Sequence, residues 1–169
     1  MDENLDAPKE DPQGVEECLD AAKEELKRAD HLIFVSLKYT RTCDVIKHIV
    51  DRLINCIDFI FTALLEHEKE QGNLDEVPKA PIPKANKVKE IFPNDEFIPE
   101  FTDMFLKFRK ISKAEFTRAC EFRRHVTMTV IVDEEVIELN IDNITDYFKR
   151  SKEFFAHVQK MIDPESQEE

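Results

Sequence analysis

The chain has 169 residues, 41% of them hydrophobic and 36% charged, with a formal net charge of −13. That length suits one domain with a buried core, and so acidic a surface excludes phosphate-backbone partners unless basic residues gather locally. Gly14 and Gly72 are the only glycines, and no GxGxxG or GxxxxGK[ST] occurs. This argues against a Gly-rich phosphate loop, and no cofactor is implied.

Met1–Gly14 and Asp163–Glu169 read as disordered acidic tails, charged and poor in apolar residues. The first is too polar for a signal peptide or an anchor. Between them, residues 15–162 read as a single helical bundle domain. A first helix is predicted from about Val15 to Tyr39, because Val15, Leu19, Ala22, Leu26, Ala29 and Ile33 recur at steps of three and four. A second runs from about Cys43 to Gln71, with Gly72 as its stop. Its apolar residues, from Val45 to Leu65, cover most of the circumference. Only Asp44, His48, Asp51, Asn55, Asp58 and Thr62 form a polar line. Such a helix is surrounded by other elements, as the centre of a bundle or one face of a homodimer. Asp51, Arg52 and Asp58 within it argue against a membrane span.

Pro78, Pro81 and Pro83 make residues 72–86 a linker, with a short helix near Lys87–Phe92. Another helix spans about Glu96–Lys110, with Phe97, Phe101, Met104, Phe105 and Phe108 on one face. Ser112 and Glu115 match a capping box and predict a further helical turn through Arg124. The period then changes. Val126, Met128, Val130 and Val132 alternate with Thr127, Thr129 and Ile131, and Ile137, Leu139 and Ile141 alternate with Glu138 and Asn140. This predicts a β-hairpin whose turn, lacking Gly or Asn, has three or more residues. A last helix, Asn143–Ile162, is capped by Asp142. The fold class is therefore all-α in the main, a bundle of four or five helices with a small β-hairpin before the last. The thirteen Phe and two Tyr sit at core spacing and read as packing.

Cys18, Cys43, Cys56 and Cys120 form no CxxC pair, and each falls in a stretch read as helical. Buried reduced thiols and a cytoplasmic location follow.

One electrostatic feature stands out. Lys107, Arg109, Lys110, Lys113, Arg118, Arg123 and Arg124 face only Glu115 and Glu121 across residues 107–125, a net of +5 in an acidic chain. Such an island can hold RNA phosphate, with Arg109, Lys110, Lys113, Arg123 and Arg124 as contacts. Alternatively the basic residues pair with the molecule's own carboxylates. Arg118 and His125 frame an R-x6-H pattern. There arginine can steady phosphate charge while histidine moves a proton as a ribose 2′-hydroxyl attacks. Separately, Asp44, His48 and Asp51 share one helix face. They could bind a divalent cation only with further ligands such as His31, Glu66 or His67, and no metal is assigned.

The stretch Ala29-Asp30-His31-Leu32-Ile33, followed by the long apolar helix ending Ala63-Leu64-Leu65-Glu66, resembles the opening helical pair of HEPN domains. Phe108-Arg109-Lys110 with Lys113-Ala114-Glu115-Phe116 is similar to their third-helix region. Tyr147-Phe148 and Glu153-Phe154-Phe155 fit the closing helix. The likeness is greatest to uncharacterised archaeal members. It implies a dimeric helical bundle that is either an RNase with its R-x4–6-H motif at the dimer cleft, or a non-catalytic RNA binder or nucleotidyltransferase partner. Arg118 and His125 would fall on that motif. Ala119 stands where the nucleases favour a polar residue, and a hairpin precedes the final helix. The expectation is thus a non-enzymatic HEPN-like interaction or RNA-binding module without membrane or sequence-specific DNA contact. The alternatives are a metal-independent endoribonuclease and a structural homodimer with no ligand.

Overall fold

The computed structural model describes residues 11–165. Among them the predicted architecture forms: a mainly helical bundle with a small antiparallel sheet before the last helix. Most of both predicted tails lies outside the described residues. Helix α1 starts at Gly14, runs as an α-helix through Gly14–His31, widens to a π-helix over Leu32–Leu37, and closes with the turn Lys38–Thr40. Ala22, Leu26, Ala29, Ile33 and Leu37 stay in the core through the widened part, while Phe34, Val35 and Tyr39 face solvent. Arg41, at φ 54°, reverses the chain. Thr42 then caps helix α2, Cys43–Glu70, by accepting the Val45 N–H at 3.3 Å.

With two residues between them, α1 and α2 pack as an antiparallel pair. Helix α2 is the centre of the bundle: from Cys43 to Leu65 thirteen of its residues are buried. Each large one contributes about 1.5–3 kcal/mol by leaving water. Gly72 follows at φ 82°, where its N–H reaches the Lys69 carbonyl and the Asn73 N–H reaches that of Glu68. These bonds satisfy the last carbonyls, as predicted for this stop. The cover over α2, which is the reason for expecting a homodimer, comes from the chain itself: α1, three further helices and the sheet all pack on it.

The linker holds more helix than its prolines predict. Helix α3 spans Pro81–Ile91. Pro81 and Pro83 fall in its first turn, where a backbone N–H has no helical acceptor, and the first regular bond is Lys84 N–H to the Ala80 carbonyl. Helix α4, Ile98–Lys113, starts two residues later than predicted, with Asp95 accepting the Phe97 and Ile98 N–H groups.

The predicted helical turn through Arg124 is absent. Ser112 belongs to the last turn of α4, and its hydroxyl donates to Asp51 at 2.7 Å instead of starting a helix. The chain then forms strand β1, Phe116–Ala119, which pairs with β2, Thr127–Val132. The predicted hairpin is β2 with β3, Glu135–Asn140, in the register Met128↔Leu139 and Val130↔Ile137. Those four side chains are buried, as the alternation requires. Its turn is tighter than predicted: Asp133 and Glu134 alone, at φ 54° and 67°, the geometry of a primed turn without Gly or Asn. Helix α5, Ile141–Ile162, is capped by Asn140 in reciprocal bonds with Asn143, two residues before the predicted Asp142.

All four thiols are free. Cys18, Cys43 and Cys56 are buried in helices, but Cys120 is exposed in a loop and not in a helix. Burial pushes the Cys18 and Cys43 thiols up to about 11, keeping them protonated. Among the described residues no helix is long and apolar enough to cross a membrane.

Candidate functional site

The basic segment divides over three elements. Arg109, Lys110 and Lys113 lie in the last turns of α4, Arg118 lies on β1, and Arg123, Arg124 and His125 lie in the loop joining β1 to β2. Arg109 and Lys113 line a cleft of about 290 Å³ with Asp51, Asn55 and Ser112. Lys110 reaches Asp133 at 2.7 Å, at the far end of β2, roughly 20 Å from the loop for a six-residue strand. Arg118, Arg123, Arg124 and His125 lie at or beside one loop.

That loop, the seven residues Cys120–Val126, is held against the start of α2. Glu121 accepts the Cys43 N–H at 2.7 Å, and the Phe122 N–H donates to the Arg41 carbonyl at 2.8 Å. The Arg123 and Val126 N–H groups close turns within the loop. Arg118 fastens its base: it bonds Asp44 at 3.1 Å, approaches Glu121 at 3.6 Å, and lies 4.8 Å over the Phe116 ring. The hydrogen bond from Arg118 holds the Asp44 carboxyl below its usual range. The bond from the Cys43 backbone does the same for Glu121. Both therefore carry full charge near neutral pH.

Two loop residues take left-handed backbone without being glycine, Cys120 at φ 55° and Phe122 at φ 68°. Such geometry costs on the order of 1–3 kcal/mol per residue and persists only where the surroundings impose it. Here it holds the Phe122 side chain out, 71% exposed, beside the exposed Arg123, Arg124 and His125. Tyr39, 79% exposed, stands two residues before Arg41, to whose carbonyl the loop is bonded. Arg41 itself has a buried Nε without a hydrogen-bond partner among the described residues. Reading every aromatic as packing thus fails for Phe122 and Tyr39, and neither they nor Arg41 were singled out by their local sequence. The signal for Phe122 in the sequence is its position next to Arg123-Arg124, which is informative only where the segment is a loop.

The charges in the loop are accessible. Arg124 pairs with Asp142 at 2.8 Å, but both side chains are at least half exposed, and such a pair is worth about 0–1 kcal/mol. Among the described residues, neither Arg123 nor His125 makes a side-chain hydrogen bond or ion pair. Among the described residues no hydrogen bond joins Arg118 to His125, and neither lines the cleft beside Arg109. Along the α2 polar line, Asp44 is taken by Arg118, while Asp51 binds Lys47 at 3.2 Å and Ser112 at 2.7 Å. No group of three or more His, Cys, Asp or Glu side chains among the described residues is arranged to hold a metal.

Comparison with family models, with curated proteins and with solved structures returns no match.

Proposed function

We propose that the chain is a non-enzymatic HEPN-like helical module that binds single-stranded RNA through the Cys120–Val126 loop. The carrying observation is Phe122: a strained, anchored backbone holds an aromatic ring in solvent among three exposed basic side chains. Unstacked bases lie on such rings, and arginines beside them take the adjoining phosphates. Rigid presentation lowers the entropy lost on binding. Phosphate contacts made by these basic side chains release counterions, so affinity falls with salt. The antiparallel α1–α2 pair supports the HEPN resemblance, and the reading requires no second copy of the chain.

Fluorescence anisotropy of a labelled octauridylate over a salt series tests this. Phe122→Ala should weaken binding about tenfold, the effect of losing one stacked base. An affinity that ignores both salt and this substitution would end the proposal. The same RNA, incubated without metal and resolved on a gel, tests the non-enzymatic part. It should stay intact with wild type and with His125→Ala alike. Cleavage by wild type that His125→Ala abolishes would instead establish the nuclease alternative with Arg118 and His125 as its residues.

A further inference from the structure

Helix α1 carries a second basic surface, away from the segment 107–125 in sequence. Lys27, Arg28 and His31 on α1 and Arg52 on α2 line a shallow cleft of about 390 Å³, with Leu32 as its apolar wall. No carboxylate lines it. Beneath it lies Glu25, whose side chain is 8% exposed. One oxygen of Glu25 accepts from Arg28 at 3.2 Å and the other from Arg52 at 3.3 Å.

A single buried carboxylate thus aligns two guanidiniums from two helices at the cleft. A carboxylate taken out of water needs compensating charge, and one arginine would supply it. The second leaves one positive charge in excess at the mouth. Lys27 is the remaining cation of the cleft, with Glu24 at 3.6 Å as an exposed neighbour. Each guanidinium has five N–H donors, and Glu25 uses one from each. Among the described residues neither guanidinium makes another side-chain hydrogen bond, and the Arg28 and Arg52 side chains are 45% and 39% exposed. Paired planar forks with fixed orientation match the oxygens of a phosphate group.

We infer that this cleft between α1 and α2 is a phosphate-binding site, with Arg28 and Arg52 as the clamp, Glu25 as the positioning residue beneath them, and Lys27 as an outer cation. Its ligand is a phosphoryl group with free oxygens, supplied either as a small phosphate compound or as the backbone of a nucleic acid strand. The site is independent of the Phe122 loop.

The test is NMR on the full chain, following the Nε–Hε signals of Arg28 and Arg52 as pyrophosphate, or octauridylate lacking a terminal phosphate, is added at fixed ionic strength. Saturable shifts at both arginines are expected with at least one probe. Saturation by pyrophosphate assigns a small phosphate compound as ligand, and response to octauridylate alone assigns a strand. Arg52→Gln, with its fold checked by the same spectra, should bind the active probe about tenfold more weakly. Unsaturable or absent shifts with both probes overturn the site, as does an Arg52→Gln variant that binds as wild type. Phe122→Ala should leave the Arg28 and Arg52 response to pyrophosphate unchanged, which separates this site from the loop.

Discussion

Phe97 and Phe122 each have arginine for company, yet the molecule uses them in opposite ways. Phe97, at the start of α4, is 8% exposed and packs on His157 of α5. Arg150 lies 4.3 Å over its ring, and Glu100 and Glu153 each hold that guanidinium at 2.8 Å. These hydrogen bonds, Glu100 foremost, push the Arg150 guanidinium further up and keep it charged. Phe122 has Arg123 and Arg124 next to it in the chain, is 71% exposed, and has a left-handed backbone that holds it out. An aromatic–arginine pair serves the fold where carboxylates and another helix close over it. It is free to meet a partner where strained backbone keeps it open.

The largest expected effect tests the closed region. Phe101 stacks on Phe154 with centroids 4.3 Å apart and is fully buried. Phe101→Ala should cost about 3–5 kcal/mol in urea unfolding. Phe122→Ala should cost less than about 0.5 kcal/mol. If the two destabilise equally, Phe122 is part of the core and the contrast is broken.

Acid sharpens the same contrast. Burial pushes the Asp95 carboxyl up, but the hydrogen bond to His157 and the Phe97 and Ile98 N–H groups outweigh it and hold the carboxyl below its usual value. A depressed carboxylate contributes stability above its unfolded pKa and loses it as pH falls through the folded value. Asp95→Ala should therefore cost about 1–2 kcal/mol at neutral pH as a lost cap. The difference from wild type should shrink below about pH 4. A constant difference across that range in pH-dependent unfolding would remove Asp95 as the charged fastening of α4 to α5.

The smallest effect concerns the open region. Arg124→Gln breaks the exposed pair with Asp142 and should change stability by less than about 0.5 kcal/mol. It should lower the salt slope of RNA binding by about 0.7. An unchanged slope would confine phosphate contact to Arg123.

Much of the fold is legible in the residues because it rests on period. The 3.6-residue stripe of α1, the nearly unbroken apolar cover of α2 and the alternation of β2 and β3 all reappear as burial. What is hidden is local pattern overridden by distant contact. Ser112 and Glu115 read as a cap, but Ser112 bonds Asp51 on α2, and the four residues of β1 are mostly exposed and too few to show a period. Pro81 and Pro83 look like breakers until their place in a first turn is known. At the site, the excess of positive charge is plain in the sequence. Its display is not, because it depends on Glu121 reaching the Cys43 N–H, 78 positions away, and on Arg118 reaching Asp44.

Photo-crosslinking of an oligonucleotide carrying 4-thiouridine, with the attached residue located by mass spectrometry, shows where RNA lies on the protein. Adducts are expected on Phe122 or its neighbours in the β1–β2 loop, and should be lost in Phe122→Ala. Adducts confined to the cleft beside Arg109 and Lys113, or an absence of adducts at saturating RNA, would contradict binding at this loop.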